Sequence, residues 1–251
     1  MTGGAAVRVA STQDELARDA AVHASRVMAE ALATRGAATV MLATGNSQLA
    51  FLEVLAELGG VDWSAVTGFH MDEYVGIGME HPASFARYMR DRVVQTTGIG
   101  TFHYIDGTAN PQEECDRYAR LLRANPPDLC CLGIGENGHL AFNDPPVADL
   151  DDPLDVKVVA LDDACKRQQV GEGHFATPQQ VPPEAISVTI PALLRPPTVI
   201  VVCPERRKAP AVQRALEGPI GTACPASILQ RSPQATVYLD RESASMLSAE
   251  R

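Results

Sequence analysis

Short apolar segments alternate with amphipathic segments along most of the chain, and this alternation restricts the fold more than any other feature. Between most of the apolar segments lie stretches of about 10 to 15 residues whose apolar positions recur with helical spacing. The alternation predicts an α/β fold with an open, doubly wound, mostly parallel sheet and helices on both faces, similar to Rossmann-like proteins. The strand candidates are residues 39–43, 66–71, 102–105, 129–132, 156–161, 186–190, 198–203 and 236–239.

The ends of these elements carry further signals. Thr12 and Glu15 have the spacing of a capping box, which predicts a helix that begins there and ends at Gly36. Segments 143–155 and 171–183 are rich in turn-forming residues, and they are predicted to be loops that could cover a crevice at the edge of the sheet.

Length and charge limit the class of protein. A chain of 251 residues, 45% of them hydrophobic and 5% aromatic, can bury one full core, and we predict a single domain over residues 1–251. The formal net charge of -10 repels polyanions, so we expect no nucleic-acid partner and no contact with an anionic membrane surface. A binding site for phosphate would therefore have to be local.

The cysteines and the N-terminus indicate the compartment. The 6 cysteines lack the paired spacing of a zinc site or of a compact disulfide framework, so we expect reduced thiols, with Cys130 and Cys131 buried in a strand. The first residues contain no basic segment followed by an apolar one, and no apolar run reaches the length of a membrane span. We predict a cytoplasmic protein.

Two of the strand candidates end in residues suited to proton transfer. The glycine-rich segment 133–145 follows a buried strand and contains His139, with Asp144 shortly after it as a group that could orient the imidazole. Asp72 and Glu73 follow another strand in the same way. Ligands of open α/β sheets bind outside the carboxyl ends of the strands, so these groups could serve as acid and base. The alternatives are a helix-capping Asp72 and a structural, hydrogen-bonding His139.

Two further segments are candidates for binding an anion. After the strand at 39–43, backbone N–H groups of small residues can approach an anion at the start of a helix; these residues are Thr44, Gly45, Asn46 and Ser47. The alternative is a plain turn with Ser47 as the helix N-cap. Lys208, beside Arg206 and Arg207, lies early in another helix, where a cation opposes the dipole unless a bound phosphate compensates it. The alternative for these three residues is a solvated cluster of charges.

Gly133, Gly135 and Gly138 also match the dinucleotide-binding pattern G-x-G-x-x-G. That pattern requires a long helix directly after it, whereas Asn143 and the prolines that follow stop any helix within about two turns. We therefore expect neither a nicotinamide nor a flavin cofactor.

Three segments together carry a resemblance to a known family. They are Phe69-His70-Met71-Asp72-Glu73-Tyr74, His81-Pro82-x-Ser84 and Gly133-Ile134-Gly135-x-Asn137-Gly138-His139-x-Ala141-Phe142-Asn143. They resemble the motifs of the glucosamine-6-phosphate deaminase (isomerase) family, whose fold is shared by the 6-phosphogluconolactonases. The lactonases typically have an Arg after the Asp-Glu pair, so Tyr74 favours the deaminase branch, as does the Phe142-Asn143 pair.

The resemblance implies a role for each matching residue. Asp72 corresponds to the carboxylate that moves a proton between C2 and C1 of the opened sugar, His139 to the acid–base residue of ring opening, and Lys208 to the phosphate-binding lysine. The implied catalytic residues are Asp72, His139, Asn137 and Asp144. The implied substrate-binding residues are Thr44, Gly45, Asn46, Ser47, Glu73, Gly138 and Lys208.

The implied reaction is aldose–ketose isomerisation with deamination of an amino-sugar phosphate. Glucosamine 6-phosphate and water would give fructose 6-phosphate and ammonia, without metal or cofactor, and a homo-oligomer is left open. One alternative is a lactone hydrolase of the 6-phosphogluconolactonase type, in which His139 activates water. The other is a non-catalytic sugar-phosphate sensor, which would not need the pair of Asp72 and His139 and would normally carry a DNA-binding segment.

Two departures from the family pattern concern the site. Asp144 stands where the family usually has Glu, so its contact with His139 is expected to be longer or to need a shift of the loop. The family's basic residue in segment 166–175 is not evident, and Arg167 or His174 would have to replace it. We therefore expect a changed lid over the site. Residues linked to allosteric sugar binding in some members are not recognisable near 148–157.

Overall fold

The computed structural model describes residues 3–248, in which strands and helices alternate. The strands, in chain order, are β1 (Ala6–Ala10), β2 (Ala38–Leu42), β3 (Val66–His70), β4 (Asp72–Tyr74), β5 (Thr101–His103), β6 (Leu129–Leu132), β7 (Val156–Ala160), β8 (Glu184–Val188), β9 (Thr198–Cys203) and β10 (Ala235–Asp240). The α-helices are α1 (Gln13–Arg35), α2 (Leu49–Glu57), α3 (Phe85–Met89), α4 (Gln95–Thr97), α5 (Pro111–Ala124), α6 (Asp163–Gly171), α7 (Ile190–Leu193) and α8 (Ala209–Glu217). None of these described helices combines the length and apolarity needed to cross a membrane. Residues 1–2 and 249–251 of the predicted domain lie outside the described residues, and the single domain stays a prediction.

Seven strands form one parallel sheet, which confirms the predicted α/β fold. The order across the sheet is β1-β10-β9-β6-β2-β3-β5, and each neighbouring pair runs parallel. From β2 the chain adds β3 and β5 on one side, whereas β6, β9 and β10 lie on the other side. The strand order therefore reverses between β2 and β6, and open α/β sheets bind ligands at such a reversal.

The sheet is covered on both faces, as a parallel sheet flanked by helices requires. On one face, Val40, Leu42 and Cys131 belong to a core that includes residues of α1 and α2. On the other face, Met41 and Cys130 belong to a core that includes residues of α5 and α8. The adjacent cysteines thus point to opposite faces, and both are buried and free, as predicted.

Helix α1 begins and ends where the sequence predicts. Thr12 Oγ1 accepts a hydrogen bond from the backbone N–H of Glu15 at 3.1 Å, and the carboxylate of Glu15 accepts one from the backbone N–H of Ser11 at 2.7 Å. Gly36 follows the last helical residue with a φ of 72°, in the left-handed region that favours glycine.

Three strands of the described chain lie outside the parallel sheet and form a small antiparallel sheet. The segments 156–161 and 186–190, which are predicted as strands without a partner, form β7 and β8; these pair antiparallel with each other, and β8 pairs antiparallel with β4. The predicted strand 66–71 is also divided, because the chain leaves the large sheet at Met71 and continues as β4. An apolar run indicates burial but neither direction nor partner. This change of sheet positions Asp72.

Candidate active site

A cleft opens at the carboxyl ends of β2, β6 and β9, beside the reversal of strand order. Its empty space is about 570 Å³ with the open mouth included. The sequence-predicted residues that line it are Thr44, Gly45, Ser47, Asp72, His139 and Lys208. Segments far apart in the chain thus converge on one site.

Asp72 presents a buried carboxyl to the cleft. It lies in β4, opposite Ser187 of β8, and it is 7% exposed. Its Oδ1 accepts no hydrogen bond from the described residues. Burial raises the pKa of this carboxyl well above its ordinary value, and the negative charges of Glu73, Asp144 and Glu172 raise it further. A carboxyl with a raised pKa is suited to exchange a proton near neutral pH. The alternative of a helix cap does not hold, because Asp72 lies in a strand.

His139 is held by a buried polar network. Its Nδ1 lies 2.9 Å from Oδ1 of Asp144, and the same oxygen accepts a hydrogen bond from Nδ2 of Asn137 at 2.6 Å. The backbone N–H of His139 donates to Oδ1 of Asn137 at 3.0 Å. Because an ionised carboxylate can only accept, this geometry assigns a proton to Nδ1 of His139 and leaves Nε2 able to exchange one.

The network keeps Asp144 ionised. Burial by itself raises the pKa of Asp144, but the charge of His139 and the hydrogen bonds from His139 and Asn137 outweigh it, so the pKa lies below its ordinary value. The expectation of a longer contact is wrong, since the shorter side chain reaches the imidazole at 2.9 Å. The physical reason is a tight turn between Leu140 and Asn143, which brings Asp144 back beside the ring.

Gly135 makes room for the imidazole. A Cβ atom at this position would lie 2.2 Å from Nε2 of His139, so only glycine fits here. No helix begins between Gly138 and β7 in the described chain. The glycine pattern therefore serves the packing of His139 and lacks the helix that a dinucleotide site requires.

The segment after β2 forms one side of the cleft. Gly45 has a φ of +108°, which a side chain would strain. Thr44, Gly45 and Ser47 line the cleft, whereas Asn46 is exposed and its Nδ2 donates to the backbone oxygen of Glu172 at 3.3 Å. Ser47 is not the N-cap of the helix, because a 3-10 turn over Asn46–Gln48 precedes α2. The backbone N–H of Gln48 donates to the backbone oxygen of Gly45 at 3.0 Å, so only N–H groups before Gln48 could reach an anion at this turn.

Lys208 differs from the two arginines beside it. It is 3% exposed and lines the cleft, and its Nζ has no hydrogen bond or ion pair with residues 3–248. Arg206 and Arg207 instead lie outside the cleft and pair with Glu242 at 3.6 Å and Glu136 at 2.9 Å. The alternative of a solvated charge cluster therefore fits the arginines and not Lys208. Glu172, which also lines the cleft, interacts with Lys208 through its charge, without a hydrogen bond or ion pair between the two side chains.

Two predicted substrate-binding residues point elsewhere. The carboxylate of Glu73 accepts hydrogen bonds from Oγ of Ser84 at 2.7 Å and from the backbone N–H of Ala86 at 2.8 Å, so it caps the start of α3. Adjacent strand residues face opposite sides, which is why Asp72 faces the cleft and Glu73 does not. Gly138 occupies a turn with a φ of +93° and does not line the cleft.

Residues that the sequence analysis did not assign cover part of the cleft. Gln169 and Glu172, from α6 and the residue after it, line the cleft together with His174. Of the two suggested replacements for the family's basic residue, His174 lines the cleft and Arg167 does not. The available signal was the pair of titratable residues Glu172 and His174 inside the predicted loop 171–183.

Known proteins resemble this sequence over most of its length. The family model described as glucosamine-6-phosphate isomerases/6-phosphogluconolactonase matches residues 11–238. A glucosamine-6-phosphate deaminase of Exiguobacterium sibiricum is 38% identical over 213 residues, covering 84% of this chain and 82% of the relative. The glucosamine-6-phosphate deaminase of Halothermothrix orenii is 33% identical over 241 residues, covering 93% and 98%.

Solved structures show the same architecture. A monomeric glucosamine-6-phosphate deaminase superposes with a TM-score of 0.87 and 29% identity, covering 96% of this chain and 99% of that one. A 6-phosphogluconolactonase from Shewanella baltica superposes with a TM-score of 0.77 and 20% identity, with the same coverage of 96% and 99%. The second likeness concerns the fold alone.

Proposed function

We propose that this chain, which belongs to the family of glucosamine-6-phosphate isomerases and 6-phosphogluconolactonases, is an enzyme that isomerises and deaminates glucosamine 6-phosphate. Water and glucosamine 6-phosphate give fructose 6-phosphate and ammonia. One observation carries this proposal: a single cleft joins a buried Asp72 whose Oδ1 accepts no hydrogen bond, an oriented His139 and a Lys208 that forms no hydrogen bond or ion pair with residues 3–248.

His139 is proposed to open the sugar ring. With Nδ1 donating to Asp144, Nε2 can take the proton of the C1 hydroxyl and return it to the ring oxygen. Asp144 stabilises the imidazolium that forms in between, and Asn137 holds Asp144 by a hydrogen bond of 2.6 Å. Asn137 and Asp144 therefore position the imidazole and do not themselves exchange the proton.

Asp72 is proposed to move a proton between neighbouring carbons. It removes the proton from C2 of the opened amino sugar while a proton of the substrate's ammonium group moves to O1, and it then delivers the C2 proton to C1. This leaves an iminium group at C2, to which water adds, and ammonia leaves as the C2 carbonyl forms. Burial raises the pKa of Asp72, which makes the carboxylate a stronger base for a carbon-bound proton. One carboxylate can reach both carbons because they are directly bonded.

The other end of the cleft is proposed to bind the phosphate. Lys208 supplies the charge, and Thr44, Gly45 and Ser47 bring hydrogen-bond donors to the same end. Binding at this end would orient C1 and C2 towards Asp72 and His139 without using either group.

A lactone hydrolase of the 6-phosphogluconolactonase type is the alternative, since His139 could activate water. The residue after the Asp-Glu pair argues against it. Tyr74 is fully buried, its hydroxyl bonds Oε1 of Gln169, and its ring packs between Phe85 and Phe142 at centroid distances of 4.9 and 5.3 Å. It therefore offers no cation to the carboxylate that forms when a lactone is hydrolysed.

The experiment is an assay of the purified protein with a panel of 2-amino-2-deoxy sugar phosphates, in which ammonia and ketose phosphate are measured together. We expect equal amounts of both products from glucosamine 6-phosphate. Hydrolysis of 6-phosphogluconolactone without release of ammonia from any amino sugar would overturn the proposal. The cytoplasmic location, supported by the free cysteines, and a homo-oligomeric state stay predictions.

A further inference from the structure

An acidic side chain occupies the end of the cleft that is proposed to bind phosphate. Glu172 lines the cleft together with Lys208 and His174, and its side chain is 11% exposed. A carboxylate repels a phosphate, so its presence opposes the binding of a sugar phosphate. The proton transfers assigned to Asp72 and His139 make no use of it.

The carboxylate of Glu172 is surrounded by groups that could equally contact a bound anion. Oε2 lies 3.6 Å from Nε2 of His174, and Oε1 accepts a hydrogen bond from Nε2 of Gln168 at 3.0 Å. Nε2 of His174 is buried and has no hydrogen-bond partner among the described residues. Burial by itself raises the pKa of Glu172, but His174, Lys208 and Gln168 outweigh it and lower the pKa to about 2. The carboxylate is thus ionised beside two groups that could hold a phosphate.

We propose that Glu172 is a specificity-determining residue at the phosphate end of the cleft. In the unliganded protein its carboxylate serves as an internal anion for Lys208 and His174, and the substrate phosphate binds by displacing it. The inference rests on the proposed function for the identity of the displacing anion.

The surroundings offer the displaced carboxylate another cation. Oε1 of Glu172 lies 3.9 Å from Nη1 of Arg207, which does not line the cleft. Glu172 stands between Gly171, the last residue of α6, and Gly173, which has a φ of +85°. A turn of the side chain towards Arg207 would exchange one cationic neighbour for another while clearing Lys208.

Displacement weakens the binding of phosphorylated ligands and leaves that of neutral sugars unaffected. A neutral sugar need not displace the carboxylate, because it does not compete for Lys208. Glu172 therefore reduces the difference in affinity between phosphorylated and free sugars. An uncharged residue of the same size at this position should enlarge that difference.

The test compares Glu172→Gln with the unaltered protein, using inorganic phosphate as the probe in isothermal titration calorimetry. Removing one negative charge close to a dianion should lower the Kd for phosphate by about tenfold or more. The matched control is Glu136→Gln, which removes the same charge from a residue that also pairs with Arg207 at 2.9 Å but lies outside the cleft. The control should change the Kd by less than about twofold, because screening weakens distant surface charges.

A kinetic arm measures the KM for glucosamine 6-phosphate and the inhibition constant of free fructose, an uncharged sugar. Glu172→Gln should lower the KM and leave the inhibition constant unchanged, and Glu172→Asp, which keeps the charge, should not lower the KM. An unchanged or weaker affinity for phosphate in Glu172→Gln, or an equal gain in Glu136→Gln, would overturn the inference. If Glu172→Gln does not fold, Glu172→Ala is measured in the same way.

The two proposals fail separately. Phosphate binding does not depend on turnover, so tighter binding in a protein that releases no ammonia from any amino sugar would support the role of Glu172 and overturn the deaminase function. Release of ammonia together with unchanged phosphate binding in Glu172→Gln would support the deaminase function and overturn the role of Glu172.

Discussion

Replacing Asp72 by Asn should remove turnover and, at the same time, stabilise the fold. The pKa of Asp72 is raised, because the carboxyl is buried and faces the negative charges of Glu73, Asp144 and Glu172. The folded state thus binds this proton more tightly than the unfolded chain, in which an Asp has a pKa of about 3.9. The wild type therefore loses stability as the pH rises above that value and through the folded-state pKa. The amide of Asn does not ionise, so the Asp72→Asn protein should not lose stability in this way as the pH rises.

The size of the expected stabilisation follows from the burial of a carboxyl oxygen of Asp72 that accepts no hydrogen bond. Asp72 is 7% exposed and Oδ1 is unpaired, and an unsatisfied buried polar group costs about 1–3 kcal/mol. Because the amide still buries polar atoms, we expect Asp72→Asn to gain about 1–2 kcal/mol near pH 8.5, a rise of roughly 2–8 °C in Tm for a chain of this size. The gain should shrink as the pH falls towards about 4.

The assay is thermal unfolding of both proteins at several pH values, together with steady-state release of ammonia. The kcat should fall about a hundredfold or more, with KM within about tenfold, because the general base is lost while its shape is kept. Asp144→Asn is the matched comparison. The pKa of Asp144 is lowered in the fold, so its ionised form adds stability above the unfolded-state pKa, and its loss should lower Tm. A lower Tm for Asp72→Asn, or a gain that does not change with pH, would refute the reasoning.

Three further substitutions test the rest of the site. Lys208→Ala should raise the KM for glucosamine 6-phosphate by roughly a hundredfold, because the bound phosphate would lose a buried, positively charged partner. Equal rates with phosphorylated and free glucosamine would contradict the phosphate site. Asp144→Asn should lower kcat by about a hundredfold or more, since the imidazolium of His139 would lose its anionic neighbour. In a double-mutant cycle with His139→Gln, the two losses should be far from additive. Gly135→Ala should reduce kcat by about a hundredfold, because the new Cβ would lie 2.2 Å from Nε2 and push the ring aside; full activity in this variant would mean that the ring position is not critical.

The sequence by itself determined the elements whose signals are local. Runs of apolar residues correctly placed most of the strands of the large sheet, and Thr12 and Gly36 correctly placed both ends of α1. The glycine-rich motif after β6 placed His139 beside Asp144. Such patterns can be read from neighbouring residues, because burial, capping and tight turns act over a few positions of the chain. The exception, β1, has three exposed residues out of five at the edge of the sheet and lacks that signal.

Only the tertiary structure decided which segments meet. The antiparallel pairing of β4 with β8 turns Asp72 into the cleft and Glu73 towards α3, although the two carboxyls are adjacent in sequence. The same packing leaves Lys208 without a hydrogen bond or ion pair in the described chain and brings Glu172 from a predicted loop into the same cleft. Strand partners and buried charges depend on contacts between distant parts of the chain. The free energy of each contact is set by the surroundings that the whole fold creates, which no local pattern records.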